Sequence, residues 1–143
     1  RPATLYFDEV RTPTYTDCLN ELCETMLCNR LAGLFHAGGP RRLSLYQIAQ
    51  IINRVGGYNP ERLMGCPRAQ AGPIPPRAGD VSLDSSKLSR ALGYQPFHAW
   101  PFDECWMPTH AGWHSERPAG QHGSPELLGE ILYRNPLRRR QSA

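Results

Sequence analysis

Pro73-Ile74-Pro75-Pro76-Arg77-Ala78-Gly79-Asp80-Val81-Ser82-Leu83-Asp84-Ser85-Ser86-Lys87-Leu88-Ser89-Arg90-Ala91-Leu92 is the stretch on which the reading of this chain turns. Its prolines fix φ and hold a loop extended, and that loop delivers one arginine, Arg77. The alternation at Val81, Ser82 and Leu83 predicts a short strand, and Asp84 or Ser85 is placed to accept the free amide hydrogens of a following helix. Gly93 supplies the left-handed residue that ends that helix. A guanidinium on a stiff loop offers a rigid fork of donors to a planar or tetrahedral anion. A surface arginine paired with a nearby carboxylate fits the local pattern equally well, and the pattern leaves both readings open.

Working outward, Leu5 to Phe7 reads as a strand and Thr12 to Thr14 as an extended piece shaped by Pro13. A helix is expected from Thr16 or Asp17 to Gly33, with Leu19, Leu22, Cys23, Met26, Leu27 and Leu31 as one apolar stripe. Leu34 to Ala37 reads as a short buried strand turning at Gly38-Gly39-Pro40, with His36 as a hydrogen-bonded core residue. Ser44 and Gln47 make a capping box, and the helix behind them is expected to turn Leu45, Ile48, Ala49, Ile52 and Val55 inward before Gly56-Gly57. Leu63 to Cys66 is a further strand. Past Pro96, Trp100, Trp106 and Trp113 stand among prolines and histidines without a period, the pattern of an irregular arm on a contact surface. Ser124-Pro125-Glu126 opens a last helix with Leu127, Leu128, Ile131 and Leu132 inward; Asn135-Pro136 stops it and Arg138 to Arg140 trail into solvent.

Two groups of residues together carry a resemblance. Arg77, Asp80, Leu83, Asp84, Ser86, Lys87, Leu88, Leu92 and Gly93 are similar to the Arg-Pro-x-Asp, Leu-Asp-x-Ser-Lys-Leu, Leu-Gly signature of the dTDP-4-dehydrorhamnose reductase family of extended short-chain dehydrogenases. Asp8, Arg11, Thr12, Pro13, Thr14, Tyr15, Asp17 and Leu19 resemble the stretch by which that family enters its substrate-binding part. Ala78 stands where the family has proline, which loosens the loop, and Cys18 stands where an acidic residue is common.

The resemblance implies an α/β chain that is the C-terminal, sugar-nucleotide-binding part of such a reductase, in the pathway of dTDP-rhamnose biosynthesis. Residues 1–96 would form the substrate-binding part and residues 97–143 a Trp- and Pro-rich arm with the last helix. It assigns Arg77 to the nucleotide diphosphate, and Arg11, Thr14 and Tyr15 to the sugar or nicotinamide end. The family reduces a 4-keto sugar with NAD(P)H, using a Tyr-x-x-x-Lys pair whose lysine lowers the phenol's pKa, and a glycine-rich turn that cradles the dinucleotide. Neither is present here, since Leu83 stands four places before the single lysine, Lys87. The expectation is therefore no catalytic residue, no turnover and no bound dinucleotide in this chain alone, with NAD(P)H and an N-terminal dinucleotide-binding half belonging to a parent protein. The opening at Arg1, inside a strand-and-loop region, fits that expectation. Asp17, Asp84 and Lys87 read as structural. The competing class is a non-catalytic regulatory or interaction subunit of the same superfamily, similar to the beta subunit of methionine adenosyltransferase, with the arm after Pro96 as its partner surface.

The rest of the composition bounds the partners. A net charge of +3, almost all of it arginine, is too weak and dispersed to imply nucleic acid. Five cysteines without paired spacing argue for a reducing, cytoplasmic compartment, and Cys18, Cys23 and Cys28 recur every five residues and so fan out around their helix. No apolar run is long enough to span a bilayer. Cys105, His110, His114 and His122 are the other constellation, but His110 and His114 share a face only in a helix, which Pro108 and Gly112 oppose; no metal site is expected. A half-domain exposes the apolar face that its missing partner would cover, so concentration-dependent association, a homo-oligomer included, is expected.

Overall fold

The computed structural model describes residues 1–73, 75 and 77–135. The stiffening role of Pro76, the stop at Pro136 and the terminal arginines Arg138 to Arg140 lie outside the described residues. The architecture is small α/β. It has strands β1 (Ala3–Tyr6), β2 (Val10–Arg11), β3 (Leu43–Ser44) and β4 (Leu63–Cys66). Its helices are α1 (Thr16–Cys28), α2 (Leu45–Val55), α3 (Ser86–Leu92) and α4 (Pro125–Leu128), the last continued by a π-helical turn over Gly129–Tyr133. This is the short-stranded, four-helix α/β arrangement with an irregular C-terminal region that the sequence predicts.

Two small sheets share α2. Strands β1 and β4 pair in parallel from Ala3↔Leu63 to Tyr6↔Cys66, with the long crossover between them that a parallel pair requires. Strands β2 and β3 pair antiparallel, Val10↔Ser44 and Arg11↔Leu43. Ser44 ends β3 and caps α2 in one step: its hydroxyl accepts from Gln47 N–H at 3.1 Å while Gln47 Oε1 accepts from Ser44 N–H at 2.9 Å. That reciprocal box saturates two of the amides a helix start leaves free.

Local expectations change at α1, at Leu34 to Ala37 and at Val81 to Leu83. Helix α1 stops at Cys28 rather than Gly33, where Asn29 Nδ2 donates to Thr25 C=O at 2.7 Å. Its expected stripe is mostly uncovered: Cys18 and Leu22 are buried, but Leu19, Met26 and Leu27 stay exposed, Leu27 at 88%. Leu34 to Ala37 forms no strand, because the partner of β2 is Leu43–Ser44 instead. Val81 to Leu83 forms none either. Asp80 bridges to Val10, and Val81 N–H donates to Val10 C=O, but Asp80 Oδ1 then takes Ser82 N–H at 2.9 Å, a local turn that pulls the chain off the ladder.

Helix α3 follows with its N-cap at Ser85, which makes no side-chain cap bond because its hydroxyl donates to Gly38 C=O and accepts from Gly38 N–H, both at 2.8 Å. Asp84 Oδ1 caps instead by accepting from Ser86 N–H at 2.9 Å. Gly93 ends the helix at φ +77°, as a left-handed stop requires.

The arm after Pro96 is irregular, and its rings belong to the chain's own core. Phe97, Trp100 and Trp113 pack with Tyr15, Leu22, Ile51, Leu128 and Leu132. Trp100 Nε1 donates to Leu132 C=O at 2.9 Å. The tryptophans at 100 and 113 therefore present no partner surface. The arm covers α2 on its polar side. Gln50, Asn53 and Arg54 are buried beside Ile51 and Val55, while Leu45, Ile48, Ala49 and Ile52 are only half-buried. Gln50 Nε2 donates to Ala111 C=O at 2.9 Å, Tyr46 Oη to the same carbonyl at 2.9 Å, and Arg54 Nη1 to Trp113 C=O at 3.3 Å. An arm without regular structure has carbonyls to satisfy, and these side chains of α2 satisfy them.

Candidate functional site

Glu9 directly precedes strand β2, so Glu9 and Arg11, two apart, fall on one face. Its backbone is held from two sides: Leu45 N–H donates to Glu9 C=O at 2.9 Å, and Val10 N–H donates to Gly79 C=O at 2.7 Å. Glu9 is thereby fixed with 1% of its surface exposed. Its Oε1 accepts from Arg11 Nη2 at 2.9 Å and lies 3.0 Å from Arg77 Nη2. Two arginines distant in sequence thus meet on one buried carboxylate, and both keep an exposed side, 30% of the side chain for Arg11 and 49% for Arg77.

Arg68 and Asp8 fix the loop that carries Arg77. Arg68 Nη1 donates to Arg77 C=O at 2.5 Å, Arg68 N–H donates to Asp8 Oδ1 at 3.0 Å, and Arg68 Nε lies 3.4 Å from Asp8 Oδ2. Gly79 is needed here, since a Cβ would stand 2.5 Å from Arg68 Nη2 and 2.9 Å from Asp8 C=O. Arg42 pairs with Asp80 just beyond. Hydrogen bonds from Ser82 hold the Asp80 carboxyl below its ordinary value, with the Arg42 guanidinium adding to them.

Beside this cluster lies an open polar cleft of about 600 Å³, lined among others by Thr12, Gly38, Gly39, Arg42, Asp80 and Ser85. Its floor is tight: a Cβ on Gly38 would meet Thr12 Oγ1 at 2.5 Å, and one on Gly39 would meet Pro13 C=O at 1.9 Å. Thr12 Oγ1 also accepts from Leu83 N–H at 3.2 Å and so ties the cleft's two walls together.

The four residues singled out by sequence divide. Arg11 and Arg77 come together. Thr14 is half-buried, and its Oγ1 has no partner among the described residues. Tyr15 is not brought to the arginines: it is 1% exposed, its Oη donates to Ile131 C=O at 3.1 Å and accepts from Phe102 N–H at 2.8 Å. Burial raises its phenol to about 12, so it is a neutral hydroxyl tying α1 to the arm and the last helix. Glu9, on which the cluster is built, was not among the sequence candidates. The alternation of Glu9 and Arg11 about Val10 was the available signal, since a strand-like segment puts both on one side.

The other constellations do not converge. His110 Nε2 sits 3.0 Å from Glu116 Oε1 at the surface, whereas His114 is buried with Nδ1 3.2 Å from Gln50 Nε2. No group of three or more His, Cys, Asp or Glu among the described residues is arranged to hold a metal ion. Cys18, His98 and Asn135 do cluster, with Asn135 Nδ2 2.7 Å from His98 Nδ1 and 3.5 Å from Cys18 Sγ. The amide and the thiol face the same ring nitrogen and Cys18 is fully buried, so the group is a packing contact without access for a substrate. No helix of the described residues is long and apolar enough to cross a membrane.

Compared with known proteins, the chain matches no family model. No curated protein matches it in sequence either. Among solved structures it is similar to dTDP-4-dehydrorhamnose reductase from Bacillus anthracis str. Ames in complex with NADP, with a TM-score of 0.59 at 18% identity. The match covers 70% of this chain and 35% of that one, so the chain spans about a third of its neighbour's length. The likeness is one of fold. Among the described residues no strand leads through a glycine-rich turn into a helix, and β3 passes straight into α2 through Ser44.

Proposed function

We propose that this chain is the substrate-holding part of a sugar-nucleotide reductase, in which Arg77 and Arg11 grip the diphosphate of a nucleotide sugar and the polar cleft beside them takes its hydroxyl-bearing end. The observation that carries the reading is the meeting of the two guanidiniums on Glu9. Each has donors left over, both face solvent, and a diphosphate offers charged oxygens spaced to take a donor from each. Charge-assisted bonds of this kind contribute roughly 1.5 to 3 kcal/mol apiece, enough for weak but saturable binding.

Hydride transfer belongs to a partner. The reducing cofactor, NAD(P)H, is held by a dinucleotide-binding half of the parent protein, and this chain supplies no Tyr-x-x-x-Lys pair to move the proton. The sheet favours such a partner. Strands β1 and β4 pair only with each other among the described residues, and Phe7 and Met64 beside them are about half exposed. Parallel strands are ordinarily found inside larger sheets with both faces covered, and a two-stranded sheet is marginal alone. A further parallel strand and an outer helix would complete it.

Mixing the chain with a dTDP-4-keto sugar and NADPH tests the division of labour. Saturable binding of the sugar nucleotide without loss of NADPH absorbance is expected; oxidation of NADPH by this chain alone would overturn it.

A further inference from the structure

We propose that Glu9 is the positioning residue that holds Arg11 and Arg77 side by side and makes them one anion clamp. The inference rests on the substrate-holding reading and names what makes its two arginines act together.

Glu9 has almost no surface with which to meet a ligand, at 1% exposed. It therefore acts through what its carboxylate holds. Oε1 takes Arg11 at 2.9 Å and Arg77 at 3.0 Å, while Oε2 is buried without a partner among the described residues. Burying a carboxylate and leaving one oxygen unsatisfied weakens a fold, so stability does not account for an acid here. Two guanidiniums converging from separate segments would repel without the charge between them. Arg11 would keep its second tie, Nη1 to Val10 C=O at 2.8 Å, but among the described residues Arg77 has no other side-chain ion pair and would turn to solvent.

The proposal makes a prediction whose sign opposes bare electrostatics. Neutralising Glu9 adds one net positive charge to the site, which by itself strengthens anion binding. A carboxylate that merely competes for the arginines would, when removed, release them and tighten binding as well. A positioning carboxylate does the reverse.

Calorimetric titration of the 143-residue chain with dTDP and with inorganic pyrophosphate decides this, using wild type, Glu9→Gln, Glu9→Asp, Arg77→Ala and Glu9→Gln with Arg77→Ala. Glu9→Gln is expected to weaken both probes by about fivefold or more, with a clearly smaller effect once Arg77 is gone, because contacting residues couple. Glu9→Asp, which keeps the charge with a shorter reach, is expected to fall between. Unchanged or tighter binding in Glu9→Gln overturns the proposal, as does an equal loss in the Arg77→Ala background. Loss of the folded state by circular dichroism in both Glu9 variants would assign Glu9 to the fold and overturn it too. If Arg77→Ala itself leaves both affinities unchanged, the substrate-holding reading fails; if Arg77→Ala weakens binding and Glu9→Gln does not, only the positioning role fails.

Discussion

Tyr15 shows how one residue can match a family motif and serve the fold. Its hydroxyl bridges Phe102 N–H and Ile131 C=O inside the core, and its phenol is pushed up to about 12 by burial. Tyr15→Phe removes that bridge and leaves a buried amide and carbonyl without their partner, which costs about 1 to 3 kcal/mol. Urea unfolding is expected to show a lower midpoint at unchanged slope, with affinity for dTDP unaltered. His114 gives the pH dependence. Burial lowers its pKa below the ordinary 6.5, so the folded state holds fewer protons than the unfolded one as pH falls through that value. Stability is therefore full above about pH 6.5 and declines below it. The melting temperature should drop between pH 7 and 5 and drop less in His114→Gln, whose amide keeps a polar partner for Gln50. The carboxyls of Asp80 and Asp84 are also held low, by Ser82 and Ser86, but they titrate in a more acidic window.

At the scale of elements, what was legible in the sequence was what chemistry fixes locally. The box of Ser44 and Gln47 and the stop at Gly93 form as the residue types require. Strand β4 does as well. What was not legible depends on partners distant in sequence. Val81 to Leu83 has the alternation of a strand but loses its ladder to the Asp80 turn, and Leu34 to Ala37 has no strand to pair with. The polar side of α2 is buried because the arm folds back over it, which no helical period encodes. In the site, Arg77 and Arg11 were marked by their motifs, but that they share Glu9 depends on Val10 being stitched to both β3 and Gly79. Ser44→Ala, which deletes the cap of α2, should destabilise by about 1 kcal/mol in thermal or urea unfolding. Gly79→Ala should cost more than a surface change, because Arg68 and the Asp8 carbonyl occupy the space a Cβ needs. It should also displace Arg77 and weaken dTDP binding.

For the whole molecule, the arm closes one side of α2 while two other surfaces stay bare. Leu19, Met26 and Leu27 on α1 form one. The outer face of the β1–β4 pair is the other. Apolar surface of this kind favours association, so light scattering should show an apparent mass that rises with concentration, and a monodisperse monomer stable to dilution would count against it. The account as a whole depends on Arg77 meeting a diphosphate from its place beside Glu9. Calorimetric titration of wild type and Arg77→Ala with a dTDP-sugar tests that most directly. The account predicts saturable binding weakened about tenfold or more by the substitution; equal affinity in the two proteins would contradict it.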